Sequence, residues 1–127
     1  MSAPARDETA REDHPLVEAR VAVPDAESAQ RIADHLVTRQ LAACVQVLGP
    51  MTSFYTWEDR VHRNEEWLLL AKTTAAAFPD LARAVVDQHR YDVPEVVAVP
   101  VSQALSTYAS WVRRGCDGLE DVEVLGG

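Results

Sequence analysis

Between Leu16 and Val112 the apolar residues change their spacing from segment to segment, and the order of those changes constrains the fold more than any other feature. Leu16 to Val23 reads LVEARVAV, with Val17, Ala19, Val21 and Val23 on one parity and Glu18 and Arg20 on the other, which is the alternation of a strand with one buried face. Pro24-Asp25 stops it. Asp25 can cap a helix whose Ala29, Ile32, Ala33, Leu36 and Val37 recur at i, i+3, i+4, i+7 and i+8, ending near Arg39 or Gln40. The following LAACVQVLGPMTSFYTWE is rich in β-branched and aromatic residues and predicts a long strand, with Gly49-Pro50 as a bulge or bend. Glu58-Asp59-Arg60 supplies a polar turn, and Glu66 to Lys72 predicts an antiparallel return. Thr73 or Thr74 opens a second helix with the stripe Phe78, Leu81, Ala82, Val85 and Val86, Pro79 falling in its first turn and its end near Arg90. Val96 to Val101 reads as a fourth strand, and Leu105, Tyr108, Ala109 and Val112 as a short third helix closed by Gly115. The order β-α-β-β-α-β with an extra C-terminal helix predicts an α+β, ferredoxin-like sandwich.

In that fold the helices cover one face of the sheet, so strands should alternate apolar and polar. Leu41 to Cys44, Leu68 to Ala71 and Val96 to Val101 instead are apolar on both parities. The second face must therefore be kept from water, and an oligomer that buries it is the expectation.

A chain of 127 residues predicts one domain, spanning 15–116, between a disordered tail at 1–14 and an acidic tail at 117–127. Residues 1–14 have no large apolar side chain after Met1, too little to offset the entropy of ordering them. The formal charge of -8 sits mostly in those ends, since 15–116 holds 10 bases and 12 acids. Without clustered Lys and Arg, nucleic acid is not an expected partner. No run approaches the roughly 18 apolar residues of a membrane span, and the charged start MSAPARDETAREDH lacks a secretory core. Two cysteines, Cys44 and Cys116, are too few for a disulfide framework, so a cytoplasmic location with no membrane partner is expected.

Glycine is scarce, with Gly49 alone before position 115, so no phosphate-cradling loop and no serine-hydrolase elbow can be written. His14, His35, His62 and His89 are far apart in the chain, without CxxC, HxxxH or HExxH spacing. His89 closes the second helix, where the macrodipole favours a cation, and is followed by Tyr91, Asp92 and Glu95; it reads either as a plain helix cap or as a functional group. Cys44, on a strand apolar on both sides, reads as a buried hydrophobe or, as thiolate, a soft ligand for Cu(I) or Zn. Lys72 is the lone lysine beside eleven arginines.

The strings AAC at Ala42 to Cys44, SFYTWE at Ser53 to Glu58, EEWLLLAKT at Glu65 to Thr73, HRYDVPEVVAVP at His89 to Pro100 and YASW at Tyr108 to Trp111 resemble, in this order, the CutA divalent-cation tolerance family. The resemblance covers about residues 17 to 114 and implies a tight homotrimer with PII-like architecture, a link to copper and other divalent ions, and no accepted reaction. It places the family's strand cysteine on Cys44, its aromatic pair on Tyr55 and Trp57, its strand lysine on Lys72, and its His, Tyr and Glu on His89, Tyr91 and Glu95. Tyr55, Trp57, Lys72, His89, Tyr91 and Glu95 are thus expected to share a pocket, with Cys44 as the metal ligand. The departures are AACVQ for AACVN, Trp57-Glu58-Asp59-Arg60 for a Trp-x-Gly-Lys turn, and HRYDVPE for HPYEVPE. The expected function is a trimeric, non-catalytic protein of the metal-ion response that binds copper weakly and needs no obligatory cofactor. A PII-like sensor of a small anionic metabolite and an enzyme using His89 as base stay open beside it.

Overall fold

The computed structural model describes residues 14–116. The two tails expected from the sequence, 1–14 apart from His14 and 117–127, lie outside the described residues. Those described form a four-stranded antiparallel sheet and three helices: β1 (Leu16–Val23), α1 (Ala26–Thr38), β2 (Cys44–Trp57), β3 (Arg60–Thr74), α2 (Phe78–Gln88), β4 (Val96–Pro100) and α3 (Ser106–Gly115). The strand order β2-β3-β1-β4 is the one that two split β-α-β units produce, with β1 and β3 central. Among the described residues no helix is long and apolar enough to cross a membrane.

Local chemistry accounts for most element ends. Asp25 is extended at the N-cap of α1 and its Oδ1 accepts from the Ser28 backbone N–H at 2.7 Å, which holds its carboxyl below the ordinary range. Two boundaries differ from the sequence expectation. β3 begins at Arg60 instead of Glu66, because the polar RVHRNE segment takes strand form by pairing with β2, a contact that its own pattern does not advertise. β3 also runs through Thr73 and Thr74. Thr73 Oγ1 donates to the Leu41 carbonyl at 2.7 Å and Thr74 Oγ1 accepts from the Ala77 backbone N–H at 3.1 Å, so α2 starts at Phe78 with Pro79 in its first turn.

α1 and α2 cover one face of the sheet. Ile32, Leu36, Leu81 and Val85 are buried there against Ala19, Val21, Leu69 and Ala71. Each of these large aliphatic side chains contributes about 1.5–3 kcal/mol by leaving water. The register puts the opposite parity, Glu18, Arg20, Leu68, Leu70, Lys72, Cys44, Gln46, Leu48, Val97 and Val99, on the second face. α3 covers one end of that face, where Ala109 and Val112 pack with Leu16, Ala43 and Val101. Elsewhere the face is open: Leu48 is 53% and Val97 46% exposed.

One irregularity in β2 decides where the aromatic residues point. The register slips between Leu48 and Met51, at Gly49-Pro50, so even-numbered residues of β2 face the second side before the bulge and odd-numbered ones after it. Met51 pairs with Glu66, Tyr55 with His62 and Trp57 with Arg60. Beyond Trp67, where β1 ends, β2 and β3 continue as a two-stranded arm. Its tip is a two-residue turn in which Glu58 (φ 53°) and Asp59 (φ 65°) both take positive φ, as a type I′ turn requires. The missing glycine has left the tight turn in place and put two L side chains in the left-handed region.

Candidate functional site

A cavity of about 650 Å³ opens on the second face where the arm leaves the sheet. Three segments meet there: the end of β1 with Ala22, the arm with Tyr55, Trp57 and Glu66, and the α2–β4 loop with Arg90, Tyr91, Asp92 and Glu95. The bulge turns Tyr55 and Trp57 to the side on which Glu66 lies, and Ala22 belongs to the same parity of β1.

Glu66 is 8% exposed, and the Tyr91 hydroxyl donates to its Oε2 at 3.0 Å. Burial, then the Glu66 carboxylate, pushes the Tyr91 phenol up to about 12, so it is a donor and not a phenolate ligand. Behind Tyr91, His89 holds two backbone groups at once. Its Nε2 lies 2.6 Å from the Ala22 carbonyl, its Nδ1 accepts from the Tyr91 backbone N–H at 3.1 Å, and its ring lies 4.7 Å from the Tyr91 ring. That pair of bonds is served by the Nε2–H tautomer. His89 therefore ties the loop to β1 while standing at the C-cap of α2, the helix end where the sequence reading had it. Arg90 points the other way, to Asp25 at 3.2 Å and Glu27 at 3.8 Å on the start of α1.

Of the residues expected to share a pocket, Tyr55, Trp57, Tyr91 and Glu95 line the cavity and His89 stands directly behind it. Lys72 does not join them within one copy of the chain. It sits six residues along β3 from Glu66, about 20 Å away at the strand rise, because the start of β1 and the end of β3 meet at the opposite end of the sheet. There Lys72 Nζ lies 3.2 Å from Glu18 Oε2 and donates to Gln46 Oε1 at 3.0 Å, while Arg20 Nε donates to Glu18 Oε1 at 3.0 Å. Those bonds, Arg20 first, hold the Glu18 carboxyl below the ordinary range. Glu66 and Phe54 were missed by the sequence reading, and Asp92 was named beside His89 without being placed in the pocket. Glu66 could have been found as a carboxylate that shares parity with Leu68 and Leu70 on an otherwise apolar strand.

Cys44 pairs across the strands with Lys72 and is half-buried. The Tyr108 hydroxyl of α3 faces it and is raised above the usual phenol range, by burial first and by the Cys44 thiol second. Among the described residues no three His, Cys, Asp or Glu side chains are grouped closely enough to hold a metal ion. The described residues of one copy thus supply no complete donor set around Cys44.

A family model described as CutA1 divalent ion tolerance protein matches residues 17–115. The divalent-cation tolerance protein CutA of Thermus thermophilus is 44% identical over 94 residues, which are 74% of this chain and 91% of that protein. Human protein CutA is 36% identical over 101 residues, 80% of this chain but 56% of the human one. Among solved structures, the Thermus thermophilus Cut A1 protein aligns with a TM-score of 0.78 at 41% identity, covering 79% of this chain and 97% of that one. CutA from Xylella fastidiosa aligns with a TM-score of 0.79 at 33% identity, covering 81% and 99%. With its sheet order, its helices and the ordered strings from β1 to α3 all accounted for, the chain belongs to the CutA1 divalent ion tolerance protein family.

Proposed function

We propose that the protein serves divalent-cation tolerance as a non-catalytic cytoplasmic homotrimer of PII-like architecture, binding copper weakly and holding a small molecule in the cavity under the arm. The observation that carries this reading is the uncovered second face. Leu48, Leu68, Leu70, Val97 and Val99 put apolar surface on this face from β2, β3 and β4, and a monomer leaving it in water would be an aggregation liability. Closed symmetry among copies removes the liability without leaving further faces exposed. The non-catalytic part is supported by His89, whose two ring nitrogens are both spent on backbone groups, and by Lys72, which is engaged by Glu18 and Gln46 at the far end of the sheet.

Weak copper binding follows from the donor count. A thiol suits Cu(I), but the described residues of one copy group no further donors with Cys44 into a metal site. Sedimentation equilibrium at micromolar concentration should return three times the 14.0 kDa subunit mass, and a stable monomer would defeat the proposal. Titration of the intact oligomer with Cu(I) should lose heat on Cys44→Ser; superimposable curves would remove Cys44 from the ligand set.

A further inference from the structure

We infer that His89 is a proton switch for the α2–β4 loop: the neutral ring fastens the loop to β1, and a second proton on the ring releases it. The inference stands on the bonding around the ring and does not depend on what occupies the cavity.

The ring fits its place in one form only. Nε2 lies 2.6 Å from the Ala22 carbonyl and so carries the hydrogen, while Nδ1 accepts from the Tyr91 backbone N–H at 3.1 Å and must keep its lone pair. A second proton has no site but Nδ1, where it would meet the Tyr91 N–H donor to donor. The imidazolium and the closed loop therefore exclude each other. A histidine that donated to oxygens through both nitrogens would hold its loop best when charged; this one holds it only when neutral.

Breaking that bond reaches the whole loop, because β1 holds both of its ends at a single residue. The Ala22 carbonyl takes His89, and the Ala22 N–H donates to the Glu95 carbonyl at 3.4 Å, just outside the β1–β4 ladder that begins with Val21 and Val96. Between those ends the Tyr91 ring lies 4.7 Å from the His89 ring, and its hydroxyl donates to Glu66. Release of His89 thus loosens Tyr91 from Glu66 at the root of the arm. The charged groups on the elements around the ring are Asp25, Glu27 and Arg31 of α1 and its cap, Asp87 of α2, Arg90, Asp92 and Glu95 of the loop, and Glu66 of β3. Arg90 is taken up by Asp25 and Glu27, and Arg31 donates to the Gln88 carbonyl at 3.0 Å. Acids outnumber bases here, so an imidazolium freed from Tyr91 has partners within the same neighbourhood, the C-terminal end of α2 among them.

Hydrogen–deuterium exchange of the full-length protein tests the switch, read for residues 89–95 at about pH 8 and about pH 5, on either side of the ordinary imidazole value of about 6.5, and normalised to the unstructured chain at each pH. Protection of the loop should fall about fivefold at the lower pH, the equilibrium worth of one hydrogen bond, while that of β1 stays constant. His89→Asn offers a carbonyl oxygen to the Tyr91 N–H and cannot titrate, so its loop should be equally protected at both pH values. His89→Gln keeps an N–H for the Ala22 carbonyl and should also lose the pH response. Long-range nitrogen-15 spectra of the parent protein give the same reading without a substitution: the Nε2–H tautomer at pH 8 and a doubly protonated ring at pH 5, in step with the lost protection. A ring that stays in one form across this window, a ring that takes the second proton with no change in protection, or a fall that persists in both variants overturns the switch.

Discussion

Tyr91 shows how one hydroxyl can connect folding to a site. Its bond to Glu66 spans from the α2–β4 loop to the root of the arm, and both partners lose water in making it. Because the phenol is raised from 10.0 to about 12, the unfolded chain releases this proton before the folded one does. The corresponding stability is whole below about pH 10 and is lost as pH rises towards 12. Tyr91→Phe should therefore show a shallower decline in urea midpoint across that window than the parent protein. At neutral pH it should be less stable by about 1 kcal/mol, the net worth of one hydrogen bond plus the unmatched acceptor left on Glu66. Equal slopes for the two proteins between pH 10 and 12 would show that the phenol is not perturbed by the fold.

At the scale of elements the β2–β3 arm carries the most information. A two-stranded ribbon is marginal in water by itself, and this one exposes Phe54, Trp57 and Val61. Its geometry depends on two short features. At the tip, Asp59 holds φ 65° at a position where glycine carries no Cβ penalty, so Asp59→Gly should raise stability by about 0.5–1 kcal/mol, read from the denaturation midpoint. At the root, a Cβ built on Gly49 would lie 2.5 Å from two ring atoms of Trp67, whose indole packs against the core. Gly49→Ala must move that ring and should destabilise by about 1–3 kcal/mol. A loss below 0.5 kcal/mol would mean that the bulge is looser than its contacts indicate.

For the whole molecule, the second face of the sheet is the controlling feature. Leu48 is more than half exposed on it, so Leu48→Glu should leave the subunit folded by far-ultraviolet circular dichroism. The same change places a charge in the middle of the proposed contact between copies, and sedimentation should then give the 14.0 kDa subunit at micromolar concentration. An unchanged oligomer would locate the interface elsewhere. Cys44, Lys72, Glu18 and Arg20 share that face with these apolar side chains, so the proposed oligomer would complete their surroundings.

Periodicity alone carried the element order, the cap at Asp25, the break at Gly49-Pro50 and the stop at Gly115, because each follows from the backbone needs of the residues nearby. The doubly apolar runs likewise announced a second face with too little polar surface for water. The residues that surround the cavity were only partly legible. Tyr55, Trp57, Tyr91 and Glu95 came from recognised strings, whereas Glu66 and Asp92 became visible once the bulge had reversed the parity of β2 and His89 had tied the loop to Ala22. Lys72 was separated from them for the same kind of reason. Spacing along a chain says which side of a strand a residue occupies, but antiparallel register decides which end of the sheet it reaches, and register depends on partners remote in sequence.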